Sequence, residues 1–380
     1  MRCLIATLSL YVNYGGILQC WALQNIVEGM GHDVSVLRLP SHKITIKKII
    51  CNLYKRLLSI SKGDSSFYPI KLTEFLQYNF AFRKTRRFIR KSIHYTPKTY
   101  GIDNIKDIND LHYDAYIVGS DQVWRSLYTG AYLDIFFLTF AEAGAHKIAY
   151  AASFGLDYPE YSIDEISKYG KYYSLFDAVS VREASGIELI EKYGWKSNKS
   201  CSHVLDPTLL LGSDVYIQKL CLNKKQTSPY LFVYLLSKNS IRSTINQVSS
   251  ELNIRILETK LIDDSWSSIF KRRMSPSEWL ESIYNSNFVI TDSFHGCVFS
   301  IIFRKNFIVF CNEVRGNERI QSLLNMLNLS SRLVVSNDDF MSKKSELMKQ
   351  IDYTKVTEIL EKKREESIKF LREAFVNIMY

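Results

Sequence analysis

Twice along this sequence, short apolar runs rich in β-branched residues alternate with stretches of helical spacing, and that alternation restricts the chain to α/β architecture. In the first series, Arg2 to Ser9 reads as a strand and Gly16 to Met30 as a helix ended by Gly31-His32. Asp33 to Leu39, Tyr113 to Val118, Lys147 to Ala152 and Ala178 to Arg182 are further strands, followed by a helix from Ser185 to Tyr193. The second series pairs strands Leu231–Leu236, Ile254–Glu258, Phe288–Thr291 and Phe307–Phe310 with helices Ile241–Leu252, Pro276–Tyr284, His295–Phe303 and Glu318–Leu327. Ser275-Pro276-Ser277-Glu278 supplies the start of one of these, with a capping hydroxyl and Pro in the first turn. At 380 residues the chain exceeds a single core, so two domains are predicted. Residues 1–212 form the first and 229–345 the second, joined by a polar linker, Ser213 to Ser228. A last helix, Glu358 to Met379, lies in residues 346–380.

Two features interrupt this scheme. Residues 40–102 read as a helical insertion, and the stretch from Val34 to Ile102 carries 15 Lys/Arg against only Asp64 and Glu74. The whole chain has a net charge of +10, so this one segment outweighs the rest. Within it, Ile46, Ile49, Ile50, Leu53, Leu57 and Ile60 share one helical stripe, with Lys47, Lys48, Lys55 and Lys62 largely opposite. Such a stripe either packs on its own domain or lies on an anionic membrane surface. No nucleic-acid motif accompanies the charge, and nucleic acid is not an expected partner. The seven Cys are scattered, with no C-x-x-C pair, so neither a disulfide framework nor a zinc ribbon is predicted. No apolar run reaches the roughly 18 residues of a membrane span. The longest, Cys297 to Cys311, is broken by Arg304-Lys305-Asn306. The chain reads as soluble and cytoplasmic.

The polar clusters sit mostly at strand exits. Asn13-Tyr14-Gly15-Gly16 precedes a helix, where backbone N–H groups can approach an anion or serve an ordinary tight turn. Gly119-Ser120-Asp121-Gln122-Val123-Trp124 offers polar forks and a flat ring to a sugar, or equally a capped turn with Trp124 in the core. Ser180-Val181-Arg182-Glu183 delivers an Arg that grips an anion or forms a salt bridge. Thr291-Asp292-Ser293-Phe294-His295-Gly296 places His295 at a helix start, as a general acid or as a cap. Arg315-Gly316-Asn317-Glu318-Arg319 is a basic loop before a helix. A P-loop, a G-x-G-x-x-G, a D-x-D and a metal-ligand cluster are all missing from the sequence.

In order and spacing, these clusters resemble the polysaccharide pyruvyltransferase family. The resemblance also rests on Gln19, Ala22-Leu23-Gln24, Tyr150-Ala151-Ala152-Ser153-Phe154-Gly155 and Leu205-Asp206-Pro207-Thr208. It implies two doubly wound Rossmann-like domains, similar to GT-B glycosyltransferases, with an acceptor side in the first, a donor side in the second, and the C-terminal helix in residues 346–380 packing back on the first domain. It further implies transfer of a pyruvyl group from phosphoenolpyruvate, the donor substrate, to a sugar of a cell-surface polysaccharide or capsule. The product is a pyruvate ketal, and neither cofactor nor metal is expected. A lipid-linked saccharide acceptor would bring the enzyme to the inner face of the cell membrane. In the family, the Arg resembling Arg182 and the His resembling His295 are associated with the donor. Ser293 stands where some members carry a basic residue, which leaves Arg315 or Arg319 to supply that charge. The expected donor contacts are therefore Arg182, Ser293, Phe294, His295, Arg315 and Arg319, with His295, Asp292 and Asp121 as candidate catalytic groups. Asn13, Tyr14, Gly15, Gly16, Ser120, Asp121, Gln122, Trp124 and Ser153 are the expected acceptor contacts. The alternatives are a GT-B glycosyltransferase using a nucleotide sugar and a non-catalytic glycan-binding protein.

Overall fold

The apolar runs assemble into two separate parallel sheets in the computed structural model. It describes residues 1–40, 50–51, 54, 76–142, 144–197, 200–225, 228–237, 241–260, 273–311 and 317–376. The first sheet contains β1 (Arg2–Ala6), β2 (Asp33–Val36), β3 (Ala115–Asp121), β4 (His146–Ala152), β5 (Ala178–Val181) and β6 (Ser202–His203), in the order β2-β1-β3-β4-β5-β6. The second contains β7 (Tyr230–Leu235), β8 (Arg255–Lys260), β9 (Phe288–Thr291), β10 (Asn306–Phe310) and β11 (Leu333–Val334), in the order β11-β10-β9-β7-β8. Every pairing is parallel. Strands β1, β3, β4, β7, β9 and β10 are buried almost throughout, which is why they read as continuous apolar runs rather than alternating ones.

Both sheets wind the same way. In each, the first strand lies between the second and the third, so the winding reverses at the β1/β3 and β7/β9 gaps. Loops leaving the carboxyl ends of these strands open a crevice at each reversal, where ligands of doubly wound sheets bind.

The helix Tyr14–Gly29 belongs to both halves. Asn13 caps it by accepting from the Gly15 N–H at 3.2 Å, and nearly all its residues are buried. A surface helix needs one apolar stripe, whereas this one is covered on all sides. Tyr14 stacks on Trp279 of the second half at 5.5 Å and donates its hydroxyl to the Met274 carbonyl at 2.9 Å. Trp279 in turn meets Phe299 edge-on at 5.6 Å. The helix Pro276–Tyr284 begins with a capping box, Ser275 and Glu278 each bonding the other's backbone N–H.

A 24-residue helix, Tyr353–Val376, ties the halves together from behind. Its start is fixed to the second half, where the Tyr353 hydroxyl donates to the Lys305 carbonyl at 2.6 Å. Further along it reaches the first half. Arg364 Nε donates to the Leu209 carbonyl at 2.8 Å, and Phe375 stacks on His32 at 4.2 Å.

Several details differ from the sequence reading. The polar stretch after residue 212 is not a plain linker, because it opens with a helix, Ser213–Lys219, that buries Tyr216. Val215, Tyr216, Ile217 and Leu220 carry the signal for it within that stretch. The final helix starts at Tyr353, five residues before the predicted Glu358. Of the basic insertion, the helix Arg83–Ser92 is described; it buries Thr85, Phe88 and Ile89 and exposes Arg83, Arg87, Arg90 and Lys91. Most of the Ile46–Ile60 stripe and Arg315 lie outside the described residues. All seven cysteines are free thiols.

Candidate active site

Arg182 emerges from the end of β5 into the space between the sheets, its side chain 1% exposed. Three carboxylates surround it. Its Nη1 donates to Asp206 Oδ2 at 2.9 Å, its Nη2 lies 3.4 Å from Asp121 Oδ1, and its Nε is 3.9 Å from Glu183 Oε2. Burial opposes the guanidinium charge, but Asp206, Asp121 and Glu183 more than restore it and raise its pKa.

Asp206 is the hub of the cluster. It caps the short helix Pro207–Leu210, its Oδ1 accepting from the Thr208 N–H at 3.0 Å and the Thr208 hydroxyl at 2.6 Å. Oδ2 remains for Arg182 and for the Ser120 hydroxyl at 3.2 Å, with His295 Nε2 at 3.7 Å. The last distance suits an ion pair and is too long for a hydrogen bond. Burial alone would push the Asp206 carboxyl up. His295, Arg182 and Thr208 outweigh it and hold the group well below the usual carboxylate range. Burial likewise works against Asp121, and the Arg182, His295 and Arg319 charges turn its shift downward.

His295 comes from the other half. Ser293 caps the helix Phe294–Ile302 by accepting from the Gly296 N–H at 3.3 Å, which points His295 across the crevice toward Asp206. The ring lies flat against the first helix turn. A β-carbon on Gly15 would stand 2.1 Å from His295 Nδ1, so only glycine permits this approach. His295 Nε2 has no hydrogen-bond partner among the described residues, and neither do Ser153 Oγ nor Gln122 Nε2. Buried polar atoms of this kind are satisfied by water or a ligand. Gly119, with φ of +113° and the Tyr150 carbonyl 2.1 Å from its absent β-carbon, lets β3 bend to deliver Ser120 and Asp121 here.

Two cations lie against the Phe294 ring. The Arg182 guanidinium carbon sits 4.8 Å from its ring centre and that of Arg319 5.6 Å. Arg319, 9% exposed, arrives on the helix Glu318–Met326. Burial, and next the Arg182 charge, pull its pKa down to about 10. An anion bound beside Arg319 would offset both the burial and the neighbouring Arg182 charge.

The structure therefore gathers Arg182, Phe294, His295, Arg319, Asp121, Ser120 and Gly15, with Ser293 as a cap. Gln122 and Ser153 lie beside the cluster on the β3 and β4 exits. Three expected residues are placed elsewhere. Trp124 is 0% exposed, stacked on Phe137 at 5.3 Å, and its indole N–H donates to the Phe136 carbonyl. It offers no face to a sugar. Tyr14 is occupied at the contact between the halves. Asp292 turns away from His295 to clamp the loop after β7: Oδ1 accepts from the Leu236 N–H at 2.6 Å, and Oδ2 accepts from the Ser237 N–H and hydroxyl. Sequence reasoning assigned no role to Asp206. Its Asp-Pro-Thr context reads as a helix cap, which it also is.

Residues 13–313 match the family described as Polysaccharide pyruvyl transferase. Among curated proteins none matches the chain. Among solved structures, UDP-GlcNAc 2-epimerase from Neisseria meningitidis, bound to UDP-GlcNAc, is similar with a TM-score of 0.54 at 10% identity, over 99% of this chain and 100% of that one. The UDP-N-acetylglucosamine 2-epimerase from Rickettsia bellii gives 0.52 at 12% identity, over 100% and 97%. At such identities the likeness shows the fold alone, which is GT-B type. Among the described residues, no helix is long and apolar enough to cross a membrane.

Proposed function

The chain belongs to the polysaccharide pyruvyl transferase family, and on that premise we propose that it moves a pyruvyl group from phosphoenolpyruvate to hydroxyls of a saccharide. The observation that carries this reading is the pair of buried guanidiniums, Arg182 and Arg319, both against the Phe294 ring and next to His295. Phosphoenolpyruvate is a compact anion with a carboxylate and a phosphate, and two Arg forks suit its two ends. Arg319 takes the place of the basic residue that some family members carry at the position of Ser293.

The methylene carbon of the enol takes a proton, leaving an oxocarbenium-like carbon that one sugar hydroxyl attacks as it loses its own proton. A second hydroxyl then displaces inorganic phosphate, breaking the bond from that carbon to the phosphate oxygen and closing the ketal. His295, facing the crevice through Nε2, is the group that moves protons, and Asp121 is placed to accept one. Such groups typically contribute about 10²–10⁴-fold each. Asp206 holds Arg182 and balances the charge on His295. The acceptor is a sugar of a cell-surface polysaccharide or of its lipid-linked precursor.

The deciding experiment incubates the protein with phosphoenolpyruvate and candidate saccharides, including lipid-linked ones, in excess chelator. A pyruvate adduct seen by mass spectrometry, with matching release of inorganic phosphate, is the expected result. No adduct and no phosphate release, with sugar transfer and nucleotide release when nucleotide sugars replace phosphoenolpyruvate, would overturn it.

A further inference from the structure

The loop that leaves β3 continues past the buried cluster and carries two apolar side chains into solvent. Leu127 is 74% exposed and Tyr128 44% exposed, although the loop that bears them is firmly held. The Tyr161 hydroxyl donates to the Trp124 carbonyl at 2.7 Å, Glu160 accepts from the Leu127 N–H at 3.1 Å, and Ser126 donates to Glu165 at 3.3 Å. A loop ordered by three side chains thus presents two adjacent apolar residues to solvent.

Behind Tyr128 lies Arg125. Its guanidinium carbon is 4.1 Å from the ring centre of Tyr128, and its side chain is 5% exposed. Nε and Nη1 have no hydrogen-bond partner among the described residues, and the nearest carboxylate oxygen, on Glu160, is 3.9 Å from Nε. A buried cation with unmatched donors is costly, and here it keeps the aromatic ring flat against it. The loop itself follows Asp121, at the reversal point of the first sheet.

We propose that Tyr128, backed by Arg125, is the platform on which a pyranose ring of the saccharide acceptor stacks. This rests on the pyruvyl-transfer reading for the identity of the acceptor, and it deepens that reading by assigning the acceptor subsite. The chemistry is that of sugar recognition. A pyranose has one apolar C–H face for an aromatic ring, while its equatorial hydroxyls suit a charged fork. Trp124, the residue with the best sequence credentials for this task, is sealed in the core four positions earlier. Tyr128 follows it on the same loop and remains open. The subsite lies on the first half and the donor cations on the crevice side, so an acceptor hydroxyl would approach from the rim toward Arg319 and His295.

The test uses the full chain with Tyr128→Ala, Tyr128→Phe and Tyr128→Trp, and a set of p-nitrophenyl hexosides as probes. Saturation-transfer NMR reads hexoside binding without phosphoenolpyruvate, calorimetry reads phosphoenolpyruvate binding, and a coupled phosphate assay reads transfer. Tyr128→Ala is expected to weaken hexoside binding and raise its KM by about tenfold, as loss of an aromatic stacking contact does. The Phe and Trp variants should stay within about twofold, and the phosphoenolpyruvate Kd should not respond to any of the three. Unchanged hexoside affinity in Tyr128→Ala overturns the subsite. So does an equal loss in Tyr128→Phe, which would assign the effect to the hydroxyl, and so does failure of every hexoside to bind the unmodified protein. If hexosides bind through Tyr128 but phosphoenolpyruvate does not bind at all, the subsite stands and the pyruvyl-transfer reading falls.

Discussion

The two sheets share one winding order and differ in what their reversal points do with their polar groups. At the first, the loops after β3 and β5 bring Asp121 and Arg182 to face Asp206, which stands just past β6, and leave them pointing into the crevice. At the second, the carboxylate in the matching place, Asp292, is used up on the backbone of the neighbouring loop. What the second half contributes instead is a helix start that carries His295 across the gap. Topology thus marks where a site can be, whereas function depends on which polar atoms remain after the loops have satisfied themselves.

The sharpest way to break this comparison is to remove the central cation of the first half's cluster, Arg182, which leaves β5. Arg182→Ala leaves Asp206 and Asp121 buried without their partner, and breaking a buried pair in this way costs about 3–5 kcal/mol of stability. Phosphoenolpyruvate binding should fall by about 100-fold, in line with the 2–5 kcal/mol lost when a buried charge partner is truncated. Arg182→Lys should lie between. Calorimetry and urea melts read both effects, and equal donor affinity in all three proteins would leave Arg182 as a purely structural ion pair.

Next in size are changes at His295. His295→Gln should fold with a near-native melting temperature and lose about 10²–10⁴-fold in turnover. Gly15→Ala sharpens the point, because its methyl would overlap the His295 ring and push it from the crevice. We expect turnover to drop toward the level of His295→Gln. Gly16→Ala is the control, as its added carbon would meet Asp121 Oδ2 at 3.5 Å and Asn13 at 3.7 Å, both ordinary contacts. If both glycine variants behave alike, the seating of His295 does not matter.

A smaller effect is expected at the second reversal point. Asp292→Asn should lower stability by about 1–3 kcal/mol through lost loop bonds, with phosphoenolpyruvate affinity per folded molecule unchanged. A stable Asp292→Asn protein that has lost turnover would return Asp292 to the proton-transfer machinery and erase the contrast between the halves.

Smallest is a pH effect. The Asp206 and Asp121 carboxyls are held below their unfolded values by Arg182 and His295. The stability they contribute is therefore full above about pH 4, the unfolded carboxyl range, and is lost as pH falls through the lower folded values. Urea melts of the unmodified protein should show this acid loss, and Arg182→Ala should show a shallower one. An identical slope in both would mean that Arg182 does not hold these carboxyls down.

The sequence alone determined the architecture. Continuous apolar runs separated by helical spacing have no stable home other than parallel sheets covered on both faces, and two such series make two sheets. Local chemistry was legible for the same reason: Ser275, Ser293 and Asn13 act on groups two or three residues away. What only the tertiary structure decided is which polar side chains stay available. Ser120 and Asp206 are 86 positions apart in the chain, and Leu236 and Asp292 are 56 apart. In sequence Asp121, Asp206 and Asp292 are each an acid beside an apolar run. The first two line the crevice and the third closes a loop, because a hydrogen bond between distant segments depends on where the packed helices and strands bring their ends. Trp124 and Tyr128 divide in the same way. The larger ring fills the space among Phe137, Phe154 and Tyr173, and the smaller one is left at the rim.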